Sequence, residues 1–184
     1  VPRVLERIAQ GVEEKARTKR MGPLWRRARA VAIARGRVIL GEDPKLSAPN
    51  RAAALVYERL FYRTVRRLLG GRVEHLLCGA AKLDPDLMRL FTGMDITVFE
   101  GYGLTETTAP AVGPQEGDVV PGSVGYPLPG MSVRLGEEDE VQMRGPGVFA
   151  GYTDAEETAA AFDGDWFRTG DIGELDEAGR LTVT

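Results

Sequence analysis

Residues 99–110 read FEGYGLTETTAP. Their centre, Gly101-Tyr102-Gly103-Leu104-Thr105-Glu106, starts as a phosphate-cradling G-x-G-x-x-G loop does. The sixth position of that pattern needs a glycine and carries Glu106. No convincing second strand bears an acidic residue about 20 positions later. A bare carboxylate repels a phosphate, so a different chemistry fits better. Thr105 offers a hydroxyl and the loop offers backbone N–H groups, both able to hold a phosphate oxygen. Glu106 becomes useful if Mg2+ sits between it and the phosphate, because a hard cation takes carboxylate and phosphate oxygens together. Tyr102 offers a flat face to a base. The same residues also suit a plain glycine-rich turn with a helix-capping Thr and a surface Glu, and the motif alone does not choose.

A second candidate is Trp166-Phe167-Arg168-Thr169-Gly170-Asp171. An aspartate after a Thr-Gly turn at a strand start can accept two hydrogen bonds, as gripping the vicinal hydroxyls of a ribose requires; alone, it reads equally as a β-turn Asp. A third glycine-rich stretch, Val141 to Tyr152, suggests tight β packing and is assigned no chemistry.

Composition narrows the field. A hydrophobic content of 43% suits a globular chain. No apolar run approaches the roughly 20 residues of a membrane span, and no signal-peptide pattern opens the chain. Cys78 is the only cysteine and His75 the only histidine. An internal disulfide is excluded, and a structural zinc site or a His-dependent triad is disfavoured. A cytoplasmic setting is the expectation, with peripheral contact at a membrane left open. Residues 1–75 hold 18 Lys and Arg against 7 Asp and Glu, while the remainder hold 6 against 20. Such asymmetry suits either differently solvated, mutually attracting faces or an anionic partner for the basic half.

These residues need elements to position them. Val4, Leu5, Ile8 and Val12 fall on one helical face. Met21-Gly22-Pro23 interrupts, and Pro23 suits the first turn of a new helix bearing Leu24, Trp25, Ala28, Val31 and Ala32. A loop at 41–50 leads to a helix over 51–69. Its apolar face is Leu60, Phe61, Val65, Leu68 and Leu69, with Arg59, Arg63, Arg66 and Arg67 on its polar side, and Gly70-Gly71 ends it. Val73–Cys78 reads as a buried strand. A turn at Gly79-Ala80-Ala81 follows, then a short helix capped by Asp84, and a second strand at Ile96–Phe99. Strand, helix, strand implies a βαβ unit with parallel strands, whose following loops share one ligand-binding sheet edge. Gly79-Ala80-Ala81 and Tyr102–Glu106 are thus expected side by side. Short strands are expected at Ser132–Leu135, Glu140–Arg144, Ile172–Leu175 and Leu181–Val183. A short helix is expected at Asp154–Ala161 and a hairpin loop at Asp176–Gly179. The fold class is α/β: N-terminal helices, a βαβ unit, then a small antiparallel β region, with 1–120 the α/β portion and 121–184 mostly β.

The order and spacing of five stretches resemble the adenylate-forming (AMP-dependent synthetase/ligase) superfamily. They are CGAAKL (78–83), FEGYGLTET (99–107), PGSVGYPLPG (121–130), VQMRGPGVFAGY (141–152) and DWFRTGDIG (165–173). VPRVLERI (1–8) and the helical stretch after it further resemble the long-chain fatty acid–CoA ligase branch. The resemblance spans essentially the whole chain.

It implies a two-step reaction. A carboxylate attacks the α-phosphate of ATP, giving acyl-adenylate and pyrophosphate, and the thiol of coenzyme A then displaces AMP. It also implies roles. Gly79, Ala80 and Ala81 line the adenine site with backbone. Tyr102 stacks on adenine, Gly103 borders the acyl pocket, Thr105 contacts the α-phosphate, Glu106 holds Mg2+, and Asp171 binds the ribose hydroxyls. The expected partners are the fatty acid, ATP and coenzyme A, with no nucleic acid. Cys78, Lys82 and Asp139 depart from the family pattern, where Ser, Pro and Gly are usual. The family's Ser/Thr/Gly-rich phosphate loop would precede Val1, and its lysine-bearing C-terminal domain would follow Thr184. The resemblance therefore implies the C-terminal part of an N-terminal AMP-binding domain, a piece inactive alone and completed by the rest of the parent enzyme. Two alternatives stand beside it. One is an adenylating enzyme with another acceptor, either a fatty acyl-AMP ligase or a peptide-synthetase adenylation domain. The other is an arginine-rich module that binds nucleic acid or acidic lipid through Arg59, Arg63, Arg66 and Arg67.

Overall fold

The computed structural model describes residues 2–79, 82–115 and 117–184. The chain forms two compact units, residues 1–99 and 100–184.

In the first unit, α1 (Pro2–Thr18) and α2 (Gly22–Ile39) meet at the expected break, with Pro23 in the first turn of α2. Leu5, Val12 and Ala16 carry the buried face of α1. Val4, expected on that face, is 54% exposed. Trp25, Ala28, Val31 and Ala32 are buried in α2 as their spacing predicts, together with Gly36. That glycine is required by close approach: a Cβ there would lie 2.0 Å from the carbonyl oxygen of Arg89 in α5 (Pro85–Thr92). The backbones of α2 and α5 thus touch, and no side chain larger than hydrogen fits between them.

The helix expected at 51–69 is interrupted. α3 (Ala48–Tyr57) passes through a π-helical turn at Glu58–Tyr62 into α4 (Arg63–Leu68). The wider turn inserts an extra residue and advances the buried face. Tyr57, Phe61, Tyr62 and Val65 are therefore inside, while Leu60 and Leu68, placed inside by a plain helical period, are 44% and 53% exposed. Trp25 packs edge-on against Phe61 at 5.4 Å, and the Tyr62 hydroxyl donates to the carbonyl of Ala28 at 2.7 Å. Arg66, expected on the polar side, is half-buried. It pairs with Glu58, donates to the Met94 carbonyl at 3.0 Å and lies 3.6 Å from Asp95. Arg35 also grips Asp95, and Arg89 spans Glu42 and Asp86. The Arg89 guanidinium holds the Glu42 carboxyl below its ordinary range.

β1 (His75–Cys78) pairs with β2 (Thr97–Glu100) in parallel, and α5 makes the crossover. Asp84 caps α5 by accepting from the Asp86 N–H at 2.8 Å. The buried strand expected at Val73–Cys78 is shorter and one-sided: Cys78 is buried while Leu77 is 56% exposed. A two-stranded sheet leaves one face open. His75 stacks on Phe99 at 5.4 Å. Ala80 and Ala81 lie outside the described residues.

In the second unit, β3 (Val112–Gly113) pairs with β4 (Tyr126–Pro127). A larger antiparallel sheet orders β5 (Ser132–Leu135), β6 (Glu140–Arg144), β8 (Trp166–Leu175) and β7 (Phe162–Asp163), with β9 (Leu181–Val183) also on β8. Its buried centre is Ala111, Val112, Val141, Met143 and Leu181. β8 starts six residues before the expected Ile172, because a bulge rather than a turn occupies Thr169-Gly170. α6 (Ala155–Ala160) is capped by Asp154, and Asp176 closes the expected hairpin loop by accepting from the Ala178 and Arg180 N–H groups. Asp139 takes a left-handed φ of 59°, which explains why glycine suits its place in the family pattern. Among the described residues, no helix is long and apolar enough to cross a membrane.

Two glycines inside helices, Gly36 and Gly11, give opposite expectations. Gly36→Ala drives a methyl into the Arg89 backbone and should lower stability by about 1–3 kcal/mol. At Gly11 in α1 an added Cβ meets nothing within 4 Å, so Gly11→Ala should raise stability by about 0.5–1 kcal/mol through helix propensity. Thermal and urea unfolding of the two variants distinguish these signs.

Candidate nucleotide site

The 99–113 loop is held by its own backbone. The Tyr102 N–H donates to the Val112 carbonyl at 2.9 Å, and the Tyr102 carbonyl accepts from Ala111 at 2.9 Å and Val112 at 3.0 Å. Gly103 follows, where a Cβ would stand 2.3 Å from the Ala109 carbonyl oxygen. The returning chain therefore requires this glycine whatever the ligand. Thr105–Thr107 then make one 3-10 turn. The Leu104 N–H donates to the buried Thr107 hydroxyl at 2.9 Å, and that hydroxyl donates to the Leu104 carbonyl at 3.1 Å. Thr107 therefore closes the turn from inside, while Thr105 is exposed. Two bonds fix the turn to the 147–149 segment: Phe149 N–H to the Glu106 carbonyl at 2.7 Å, and the Thr108 hydroxyl to the Gly147 carbonyl at 2.8 Å.

Two expected site residues come into direct contact. The Tyr102 hydroxyl donates to Asp171 Oδ2 at 2.5 Å, joining positions 69 residues apart. Burial and this bond push the Tyr102 phenol far above its ordinary value of 10.0, so Tyr102 stays a proton donor at neutral pH. Asp171 does not sit at a strand start as the sequence suggests; it lies inside β8, beside a bulge. Glu140 pairs with Ile172 and Gln142 with Arg168, so Val141 alone opposes Thr169, Gly170 and Asp171. Gly170 adopts a φ of 75°, a conformation that glycine reaches without strain.

Glu106 has one partner that the sequence does not announce. The Tyr152 hydroxyl donates to its Oε1 at 3.0 Å, which raises the Tyr152 phenol. The Tyr152 ring packs edge-on against Phe149 at 4.7 Å, and Thr158 Oγ1 accepts from the Tyr152 N–H at 2.8 Å. Tyr152 ends a glycine-rich stretch and lies two residues before a helix cap; an exposed tyrosine there gives no periodic signal. Thr169 and Glu140, which hold the bulge, are equally invisible, since Thr169 reads as part of a Thr-Gly turn and Glu140 as an ordinary strand residue. Gly79 lies at the end of β1 in the first unit; Ala80 and Ala81, assigned to the same turn, lie outside the described residues.

The donor set bears on the metal. Among the described residues, no three His, Cys, Asp or Glu side chains gather as a metal cage. Glu106 is a lone, half-exposed carboxylate. That arrangement fits Mg2+, which keeps several waters and commonly takes one or two carboxylates together with substrate phosphate oxygens.

Comparison with known proteins identifies the family. A family model described as AMP-binding enzyme matches residues 1–153. The long-chain-fatty-acid–CoA ligase FadD15 of Mycobacterium bovis is 37% identical over 185 residues, covering 100% of this chain and 30% of that protein. The peroxisomal long chain acyl-CoA synthetase 7 of Arabidopsis thaliana is 31% identical over 202 residues, covering 100% of this chain and 27% of its own length. The chain thus spans about three tenths of these relatives. The crystal structure of the N-terminal domain of FACL13 from Mycobacterium tuberculosis matches with a TM-score of 0.57 at 24% identity, over 77% of this chain and 43% of that one. At that identity it supports the fold alone.

The Tyr102–Asp171 bond has a pH signature. With its folded value raised, Tyr102 contributes its full stability below pH 10 and loses it as pH climbs above 10, where the unfolded chain releases the proton first. Asp171→Asn removes the charge that helps hold the phenol protonated. In that variant Tyr102 should ionise at lower pH, read as phenolate absorbance during alkaline titration.

Proposed function

Because the chain belongs to the AMP-binding enzyme family, we propose that it forms the nucleotide-facing part of an ATP-dependent, AMP-forming ligase. The ligase joins a long-chain fatty acid to coenzyme A. The observation that carries this reading is the Tyr102–Asp171 pair. It joins an aromatic ring suited to a purine and a carboxylate suited to ribose hydroxyls, from two distant segments, by a 2.5 Å bond. The relatives named as long-chain ligases support the fatty acid and the coenzyme A. The activity belongs to the longer protein rather than to residues 1–184 alone, since those relatives are more than three times as long.

In the first step, the ionised carboxylate of the fatty acid attacks the α-phosphate of ATP and pyrophosphate leaves, giving an acyl-adenylate. No general base is needed, because the attacking oxygen already carries the charge. In the second step, the thiol sulfur of coenzyme A attacks the acyl carbonyl, loses its proton, and AMP departs with the C–O bonding pair.

This chain's residues act by position and charge. Tyr102 presents its ring to the adenine and keeps its hydroxyl on Asp171. Asp171 Oδ1 accepts from the ribose. The exposed Thr105 hydroxyl donates to an α-phosphate oxygen. Glu106, steadied by Tyr152, is the residue that would hold Mg2+, and the ion when bound neutralises phosphate charge. Gly103 keeps the loop close to the Ala109 backbone, leaving the acyl side unobstructed by a side chain.

In the full-length protein, pyrophosphate exchange into ATP should depend on a long-chain fatty acid; its absence with every carboxylate tried rules the reading out. Glu106→Gln should raise the Mg2+ concentration needed for half-maximal exchange by about ten- to hundredfold while the melting temperature stays near the parent value. Unchanged Mg2+ dependence would leave Glu106 a surface residue.

A further inference from the structure

The bulge in β8 replaces strand pairing with side-chain pairing. Where Val141 opposes three residues, the ladder cannot supply regular partners. Thr169 Oγ1 donates to the Val141 carbonyl at 2.7 Å and accepts from the Asp171 N–H at 3.1 Å. One hydroxyl thus bridges the facing strand and the backbone of Asp171 itself. Glu140 spans the other side of the bulge. Its Oε1 accepts from the Gly170 N–H at 3.1 Å, and its Oε2 accepts from Arg168 Nε at 2.9 Å. Burial works against its ionisation, but Arg168, Gln142 and the Gly170 N–H outweigh burial and hold the carboxyl below its ordinary range. The backbone groups at the bulge are therefore tied to Thr169 and Glu140, and Asp171 emerges from it already aimed at Tyr102.

We propose that Thr169 and Glu140 are positioning residues for nucleotide selection: they fix the bulge that orients Asp171 and so set the discrimination between a ribonucleotide and a deoxyribonucleotide. This rests on the ribose role of Asp171. A rotated carboxylate still folds into the sheet but no longer meets both hydroxyls. Loss of a fixed geometry for a hydrogen-bonding group weakens selection of the substrate that carries the partner hydroxyl.

The experiment compares ATP with 2′-deoxy-ATP in fatty-acid-dependent pyrophosphate exchange by the full-length protein. Thr169→Val, which keeps the shape and removes the hydroxyl, should raise the KM for ATP about tenfold. The loss should fall on KM rather than on kcat, and the preference for ATP over 2′-deoxy-ATP should shrink. Thr169→Ser should restore that preference. If Thr169→Val fails to fold, Glu140→Gln carries the test, and its preference should shrink in the same direction. Asp171→Ala separates the two levels of the reading. If Asp171→Ala leaves the preference intact, the ribose role fails and the positioning proposal falls with it. If Asp171→Ala abolishes the preference but Thr169→Val and Glu140→Gln lower only the melting temperature, the ribose role stands and the positioning proposal is overturned.

Discussion

The second unit depends on one hydrogen bond across its own chain. Tyr102 is stitched at its backbone to Val112 and at its hydroxyl to Asp171. Its ring packs against the buried centre formed by Ala111, Val112, Val141, Met143 and Leu181. A glycine-rich loop would otherwise have little to define its shape. Here one aromatic side chain couples the loop to the core, and its polar end couples it to the sheet. Thr107 then closes the 3-10 turn, and that turn presents Thr105 and Glu106. Catalysis by placement needs such rigidity, because small displacements of a charged group are costly where no bond to the protein changes.

Much of this architecture was legible because it follows local rules. Ser132–Leu135, Glu140–Arg144 and Leu181–Val183 are strands at the residues their patterning gives, and Asp84 and Asp154 cap the helices they precede. Two of the failures share a cause: a local irregularity inside an element. Thr169-Gly170 reads as a turn because Gly breaks strands, but tertiary pairing carries β8 through it as a bulge. Leu60 and Leu68 read as buried because a uniform period was applied across a π turn. In the site, the residues facing a ligand were found by type, while those that hold them were not. Tyr152, Thr169 and Glu140 act through neighbours distant in sequence, and nothing in their local patterning marks that.

The charge asymmetry resolves partly into local pairing. Arg35, Arg66 and Arg89 hold Asp95, Glu58, Glu42 and Asp86 in the first unit. They gather around both ends of α5, the helix whose backbone presses on Gly36. Their partners are acids of the same unit, so part of the basic excess is structural. Arg66 in particular leaves the four-arginine cluster that sequence spacing suggests, because the π turn rotates it inward.

The π turn also bears on how this helix could change over time. One surplus residue between Tyr57 and Arg63 behaves as a phase shifter. Deleting it would restore a uniform spiral and rotate everything downstream by about 100°. Arg66 would release both Glu58 and the Met94 carbonyl. Length in this segment is therefore quantised: single-residue deletions between 57 and 66 break the register of the whole first unit, whereas point replacements on its outward face do not. Lineages carrying this segment should drift freely in composition there while keeping its residue count fixed.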